Sequence, residues 1–147
     1  MAFTGSYMST TFKKELLEAV HDFTASSGDT FYMALYTNSA SLTAADATYS
    51  TGLTGQVSTA GTNYTTGGKP LTNISPTVSI NSGVCSFANV TWNIASFTAR
   101  GALIYNSTKA NRTVAVIDFG SDKTATDGDF TIQFPAATNT LAIIRIE

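Results

Sequence analysis

The sequence predicts a mainly β protein, an antiparallel β-sandwich with one N-terminal α-helix, folded as a single domain over residues 1–147. Two patterns predict this class. Apolar residues alternate with a period of two through most of the chain, in runs roughly ten residues apart with turn-forming residues between them. A helical period occurs once, near the N-terminus. Hydrophobic residues make up 43% of the chain, enough to build one core without disulfides.

Residues 1–9 are small, polar or aromatic, and the large apolar side chains among them are Phe3, Tyr7 and Met8. Such side chains favour removal from water, which a free tail would not provide. Two interpretations remain open. The segment packs onto the core of its own domain, or it is an arm that docks on a neighbouring subunit.

A helix is expected over residues 10–25. Between Thr11 and Phe23 the apolar residues recur at helical spacing and form one face. That face comprises Phe12, Leu16, Ala19, Val20 and Phe23. His21 falls in the last predicted turn, where the helix dipole favours a cation, so we interpret it as a residue of the helix end and not as a ligand.

The next predicted element is a strand at Phe31–Tyr36. Both of its faces are apolar, since Phe, Met and Leu alternate with Tyr, Ala and Tyr along it. A strand with two apolar faces is typical of a position inside a sheet, where other elements cover both sides. We therefore expect this strand to be central.

Residues 37–73 break the rhythm of strands with a long run of Ser, Thr, Ala, Gly and Asn. A stretch of this length inside a compact domain is mobile, functional, or contains short strands. We interpret it as an extended, low-charge excursion that includes an edge strand around Gln56–Thr59. Its aromatic residues, among them Tyr49 and Tyr64, are expected to lie against the body of the domain or against a partner.

The sandwich strands are expected within residues 74–147. Val78 and Ile80 lead into a turn over residues 81–83, and residues 84–90 lead out of it, which is typical of a hairpin. Further strands are predicted at Ser96–Tyr105, Thr113–Phe119, Asp129–Phe134 and Leu141–Ile146, with a polar loop over Gly120–Gly128. The predicted core comprises Phe12, Leu16, Val20, Phe31, Met33, Leu35, Ile80, Phe87, Trp92, Leu103, Val116, Phe130, Ile132, Phe134, Ile144 and Ile146.

The composition points away from an enzyme. Charged residues make up 12% of the chain, against a usual share of about 25%, and there is one histidine and one cysteine. Most enzyme chemistry requires an activated nucleophile, an acid–base pair or a metal cluster, so we expect no catalytic activity and no cofactor. The net charge of −2 includes no basic stripe, and no apolar run is long enough for a bilayer, so neither nucleic acid nor membrane is an expected partner.

The one acidic cluster that resembles a metal site lies between residues 118 and 129. Asp122, Asp127 and Asp129 offer carboxylate oxygens at close spacing, as Ca²⁺ requires. The full ligand set and a terminal bidentate glutamate are missing. We expect a solvated turn here, with a weak calcium site as the alternative.

Trp92, Arg100 and Tyr105 belong to the residue types that are enriched at binding hot spots. One interpretation places Trp92 in the core and Arg100 as an exposed or locally paired strand residue. The other makes them a subunit contact. The candidate assembly interface comprises Phe3, Tyr7, Met8, Tyr49, Tyr64 and Arg100.

Several runs of the chain resemble one family over nearly its whole length. They are Phe12–Leu17, Phe31–Thr37, Ala99–Asn106, Val114–Lys123, Asp129–Pro135 and Ala142–Ile146. These runs are similar to small β-rich structural proteins encoded among the virion genes of tailed bacteriophages. The resemblance implies a virion component without enzymatic residues, and it transfers no catalytic position to this chain.

Within a virion, the expected function is that of a capsid decoration (cement) protein that bridges neighbouring shell subunits. Its expected partners are the major capsid protein and further copies of itself, assembled in the cytoplasm of the bacterial host. A neck, tail or fibre-associated subunit is the alternative. A second alternative is a carbohydrate-binding module that contacts the host through Tyr49, Tyr64 and Trp92.

Overall fold

A computed structural model describes residues 3–147 as an antiparallel β-sandwich with one short helix, as the sequence predicts. Its elements are β1 (Tyr7–Met8), α1 (Thr10–Leu17), β2 (Phe31–Tyr36), β3 (Lys69–Pro70), β4 (Asn73–Ser79), β5 (Ser82–Phe87), β6 (Val90–Asn106), β7 (Arg112–Ile132) and β8 (Ile144–Ile146). The large sheet has the strand order β1-β7-β6-β2-β3, and the small sheet has the order β4-β5-β8. Residues 1 and 2 of the predicted arm lie outside the described residues.

Strand β2 occupies the central position predicted for it, between β6 and β3. Phe31, Met33 and Leu35 point into a hydrophobic cluster that includes residues of both sheets and of α1. Ala34 and Tyr36 point into a second cluster on the opposite face of the large sheet. The large sheet is therefore covered on both faces, which accounts for the two apolar faces of this strand.

The longest element is the hairpin of β6 and β7, which is paired from Asn106 and Arg112 to Val90 and Ile132. The predicted polar loop at Gly120–Gly128 is wrong, because these residues lie within β7.

Two bulges accommodate this loop-like sequence. In one bulge, residues 119–122 lie opposite the single residue Arg100. There Asp118 Oδ1 accepts hydrogen bonds from the Arg100 Nε (2.9 Å) and from the Gly120 amide (2.8 Å). In the other, Ser96 Oγ donates to Asp127 Oδ1 and accepts from the Asp127 amide, each at 2.9 Å. The polar residues that suggest a loop thus hold the strand together.

The helix ends at Leu17, well before the predicted boundary at residue 25. Ala19 adopts a left-handed conformation (φ 55°), the Val20 amide donates to the Glu15 carbonyl (3.0 Å), and the Ala19 amide donates to the Leu16 carbonyl (3.2 Å). This pair of bonds is a Schellman motif, which usually has glycine at the left-handed position. Alanine stands there instead, so the sequence carries no signal for the end of the helix. His21 consequently lies after the helix and not in its last turn.

The excursion over residues 37–73 packs against the large sheet. Its edge strand is β3, and the predicted strand at Gln56–Thr59 is reduced to a single bridge between Gln56 and Tyr36. The side chains that the excursion buries are those of Ala40, Leu42, Tyr49, Val57, Tyr64 and Leu71. The segment is thus a cover for the sheet, formed with little regular structure of its own.

Most of the predicted core residues are buried or half-buried. Ile80 and Ile146 are not, with exposed fractions of 76% and 58%. Ile80 lies at the tip of the hairpin between β4 and β5, in a left-handed conformation (φ 57°), where its side chain projects into solvent. Ile146 belongs to β8, at the uncovered end of the small sheet. Both errors fall in the same region of the molecule.

Candidate interaction surface

The structure packs residues 3–8 of the N-terminal segment onto their own domain, as the first of the two interpretations has it. Phe3 is 4% exposed, and its ring lies over Gly101, where an added Cβ would come within 2.5 Å of it. Tyr7 and Met8 form β1, which pairs with the outer edge of β7 and leaves both side chains half-buried. Tyr7 and Met8 are therefore part of the large sheet, Phe3 packs on it, and residues 3–8 do not form a free arm.

Tyr49 and Tyr64, also assigned to the candidate interface, are core residues. Tyr49 stacks on Tyr105 with the ring centroids 4.2 Å apart, and its hydroxyl accepts a hydrogen bond from Gln56 Nε2 (3.1 Å). The hydroxyl of Tyr64 accepts from the amide of Leu35 (2.9 Å), and burial raises the pKa of Tyr64. These tyrosines fasten the excursion to the sheet and offer no surface to a partner.

Trp92 and Arg100 also follow the interpretation that keeps them within the domain. Trp92 is buried against Tyr64 and Phe130. Arg100 is locally paired with Asp118, and this hydrogen bond holds the pKa of the Asp118 carboxyl below its usual value. The carbohydrate-binding alternative requires exposed aromatic side chains, and Tyr49, Tyr64 and Trp92 are buried.

The three aspartates of the possible calcium site are used separately. Asp127 closes one of the bulges of β7, Asp129 Oδ1 accepts from the Ile94 amide at 3.4 Å, and Asp122 is exposed. Across residues 3–147, no three His, Cys, Asp or Glu side chains converge on a point where a metal ion would fit.

A buried polar cluster joins α1 to the turn between β6 and β7. The imidazole of His21 has no exposed surface, and its Nε2 lies 2.8 Å from Glu15 Oε2. Asn106 Nδ2 lies 2.9 Å from His21 Nδ1 and 2.8 Å from Asp29 Oδ2. Arg112 binds the other oxygen of Glu15. We call these five side chains the polar clamp.

The hydrogen bonds of Asn106 assign the protons within the polar clamp. Its Oδ1 accepts from two backbone amides, so its Nδ2 is the donor to His21 Nδ1, and His21 Nε2–H donates to Glu15. Burial alone would raise the pKa of Glu15, but the hydrogen bonds from His21 and Arg112 lower it. The clamp ties elements that are far apart in sequence, and spacing along the chain gives no signal of it.

Several of the large exposed apolar side chains lie on the small sheet or at its hairpin tip, among them Ile74, Val78, Ile80 and Ile146. Val78 on β4 is 77% exposed and lies in register with Gly83 on β5, which lies in register with Ile146 on β8. An added Cβ on Gly83 would meet no atom within 4 Å, so this row is open to solvent in its middle. We call Val78, Gly83 and Ile146 the apolar row. Sequence reasoning missed it because it placed Ile146 in the core.

A second apolar region is a groove of about 540 Å³ between β7 and the segment that leads to β8. Its apolar lining comprises Ile117, Phe119, Phe130, Ile132, Phe134, Pro135 and Ile143. Lys123 and Asp129 are among its charged lining residues. Its volume lies within the range of small-ligand sites, about 300–1,000 Å³.

Comparison with models of known protein families, with curated proteins and with solved structures finds no match to this chain. The part of the chain that the structure describes contains no helix of the length and apolar character that a bilayer crossing requires.

Proposed function

We propose that this protein is a non-enzymatic structural subunit of a bacteriophage virion, and specifically a capsid decoration protein that bridges neighbouring shell subunits. The observation that carries the proposal is the exposed apolar row on the small sheet, Val78, Gly83 and Ile146. The resemblance of the sequence to phage virion proteins supports the assignment of this subunit to a virion. The proposed partners are the major capsid protein and further copies of this chain, assembled in the cytoplasm of the bacterial host.

An exposed apolar surface is the expected feature of a subunit that binds protein. Burying apolar area is favourable by about 25 cal/mol per Å², so solvent exposure of such a row is a cost that docking removes. The low share of charged residues, 12%, limits the number of charges that must be desolvated when a partner binds.

The close packing of the rest of the molecule supports the same proposal. The N-terminal segment and the excursion are packed onto the large sheet, so neither needs to become ordered on docking. A preformed surface loses little conformational entropy when it binds. We therefore assign the proposed shell contact to the small sheet, and not to the N-terminal segment or the excursion.

Many copies of a modest contact suffice for a decoration protein. A subunit that touches several shell subunits at once gains affinity from each additional contact, because the later contacts form at high effective concentration. The apolar row is small, which fits a contact that is repeated over a particle.

Immunogold labelling of purified virions with an antibody to this chain tests the proposal. Label spread evenly over the head is the expected result. Label confined to one vertex or to the tail would replace decoration by the neck, tail or fibre function. Purified particles without label would contradict a virion function altogether.

A further inference from the structure

We propose that the outer edge of β8 pairs with the same edge of a second copy, antiparallel, about a twofold axis at Ile146. Strand β8 is the last strand of the small sheet and pairs with β5 alone among the strands of residues 3–147. Its other edge presents unpaired backbone groups, and such an edge is a template for another strand. Two copies joined in this way would form one six-stranded sheet.

Two other strand edges of the molecule, those of β4 and β7, are less suited to pairing. Strand β4 contains Pro76 and a bulge between Ile74 and Thr77, and proline cannot donate a backbone hydrogen bond. The outer edge of β7 is interrupted by left-handed residues at Gly120 and Asp127. Features of this kind protect edges from association. Strand β8 contains neither a proline nor a bulge.

The charges on β8 are complementary to themselves in this arrangement. With Ile146 on the axis, Arg145 lies opposite the partner's Glu147, and the symmetry repeats this pair. Arg145 Nε already lies 3.5 Å from Glu147 Oε1 within one chain, so the two side chains share a face of the strand. Opposite charges directly across an antiparallel pair stabilise it, and like charges destabilise it.

The apolar row would continue across the axis. Ile146 meets the partner's Ile146, so the row of one copy becomes continuous with the row of the other. A twofold interface of this kind uses the same patch on both subunits and closes without forming a fibre. A strand of three residues buries less than the roughly 1,200 Å² of a stable complex, so the dimer forms only at high protein concentration.

This inference goes beyond the proposed function and does not depend on it. Dimer formation uses the edge of β8, whereas the proposed shell contact uses the face of the small sheet. Substitutions at Arg145 test the first, and substitutions at Val78 test the second. Either proposal can therefore fail without the other.

Charge reversal measured by sedimentation equilibrium tests the dimer, over protein concentrations from about 10 µM to about 1 mM. The unchanged chain is expected to show a monomer–dimer equilibrium. Arg145→Glu places acidic residues opposite each other and Glu147→Arg places basic residues opposite each other, so each variant alone is expected to dimerise about tenfold more weakly. An equal mixture of the two variants is expected to form a heterodimer, because one presents only acids and the other only bases.

The mixture keeps the experiment informative if a single variant is less stable, since association on mixing requires both chains to be folded. Lys14→Glu is the matched control, an exposed cation on α1 whose reversal leaves dimer formation unchanged. A chain that stays monomeric at about 1 mM overturns the proposal. So does a dimer that neither variant weakens, or a mixture that does not associate.

Discussion

The two sheets of the molecule are covered very differently. The large sheet has hydrophobic clusters on both faces, and side chains of the N-terminal segment and of the excursion contribute to both clusters. The small sheet contributes Cys85, Phe87 and Ile144 to the shared core but leaves Val78 and Ile146 exposed. We propose that this difference separates two functions of the chain, in which the large sheet stabilises the fold and the exposed part of the small sheet contacts partners.

The largest expected contrast is between a truncation of a buried side chain in the large sheet and one of an exposed side chain in the small sheet. Trp92→Ala removes a fully buried side chain of the large sheet and is expected to lower the free energy of unfolding by about 3–5 kcal/mol. Val78→Ala removes a side chain that is already in water and is expected to change it by less than about 0.5 kcal/mol. Urea denaturation of both variants measures the contrast, and equal losses would contradict it.

The polar clamp is expected to give the next largest effect. Glu15→Gln leaves the bonds from His21 and Arg112 without their carboxylate in a buried site, at a cost of about 2 kcal/mol in unfolding free energy. Glu18→Gln is the control, since the ion pair of Glu18 with Lys14 is exposed and worth less than about 0.5 kcal/mol. Thermal unfolding of both variants checks the prediction. A Glu18 variant as unstable as the Glu15 variant would show that the polar clamp contributes no more stability than an exposed ion pair.

Two glycine substitutions compare the sheets with the same chemical change. In Gly101→Ala the new Cβ would lie 2.4 Å from the Ile117 carbonyl oxygen and 2.5 Å from Phe3, so a loss of about 1–3 kcal/mol is expected. In Gly83→Ala the new Cβ enters open space, and the expected change is within about 0.5 kcal/mol. Chemical denaturation distinguishes them, and a destabilised Gly83 variant would mean that the apolar row is already covered.

The smallest expected effect is on the pH dependence of stability. The pKa of Glu15 is lowered in the folded state from a value of 4.5, so the stability it contributes is fully present above pH 4.5 and is lost as the pH falls below it. The melting temperature of the unchanged chain is therefore expected to fall more steeply on acidification than that of Glu15→Gln. Melting curves between about pH 7 and pH 3 measure the two slopes, and parallel curves would contradict the lowered pKa.

Periodicity predicted the parts of the fold that depend on alternation alone. The strand at Phe31–Tyr36 has the predicted bounds and the predicted central position. The boundaries failed where a local signal was absent or misleading. Ala19 ends the helix at a position that usually carries glycine, and the polar residues 120–128 continue a strand because partners on β6 absorb them in bulges.

The polar clamp and the apolar row were less predictable, because each depends on contacts between residues that are distant in sequence. His21 and Asn106 are 85 positions apart, and no spacing rule connects them. Ile146 lies on the same face of β8 as the buried Ile144, and alternation alone does not show where along that face the cover ends. The apolar row depends on the pairing of Gly83 with Ile146, which spacing along the sequence does not indicate.

The central claim is that the face of the small sheet contacts other virion proteins. The number of chains bound per particle, measured by quantitative mass spectrometry, tests it with two variants that each add one negative charge at an exposed position. Val78→Asp places the charge in the apolar row, and Thr126→Asp places it on β7. Loss of binding for Val78→Asp with unchanged binding for Thr126→Asp is the expected result. Equal incorporation of the two variants would contradict the claim.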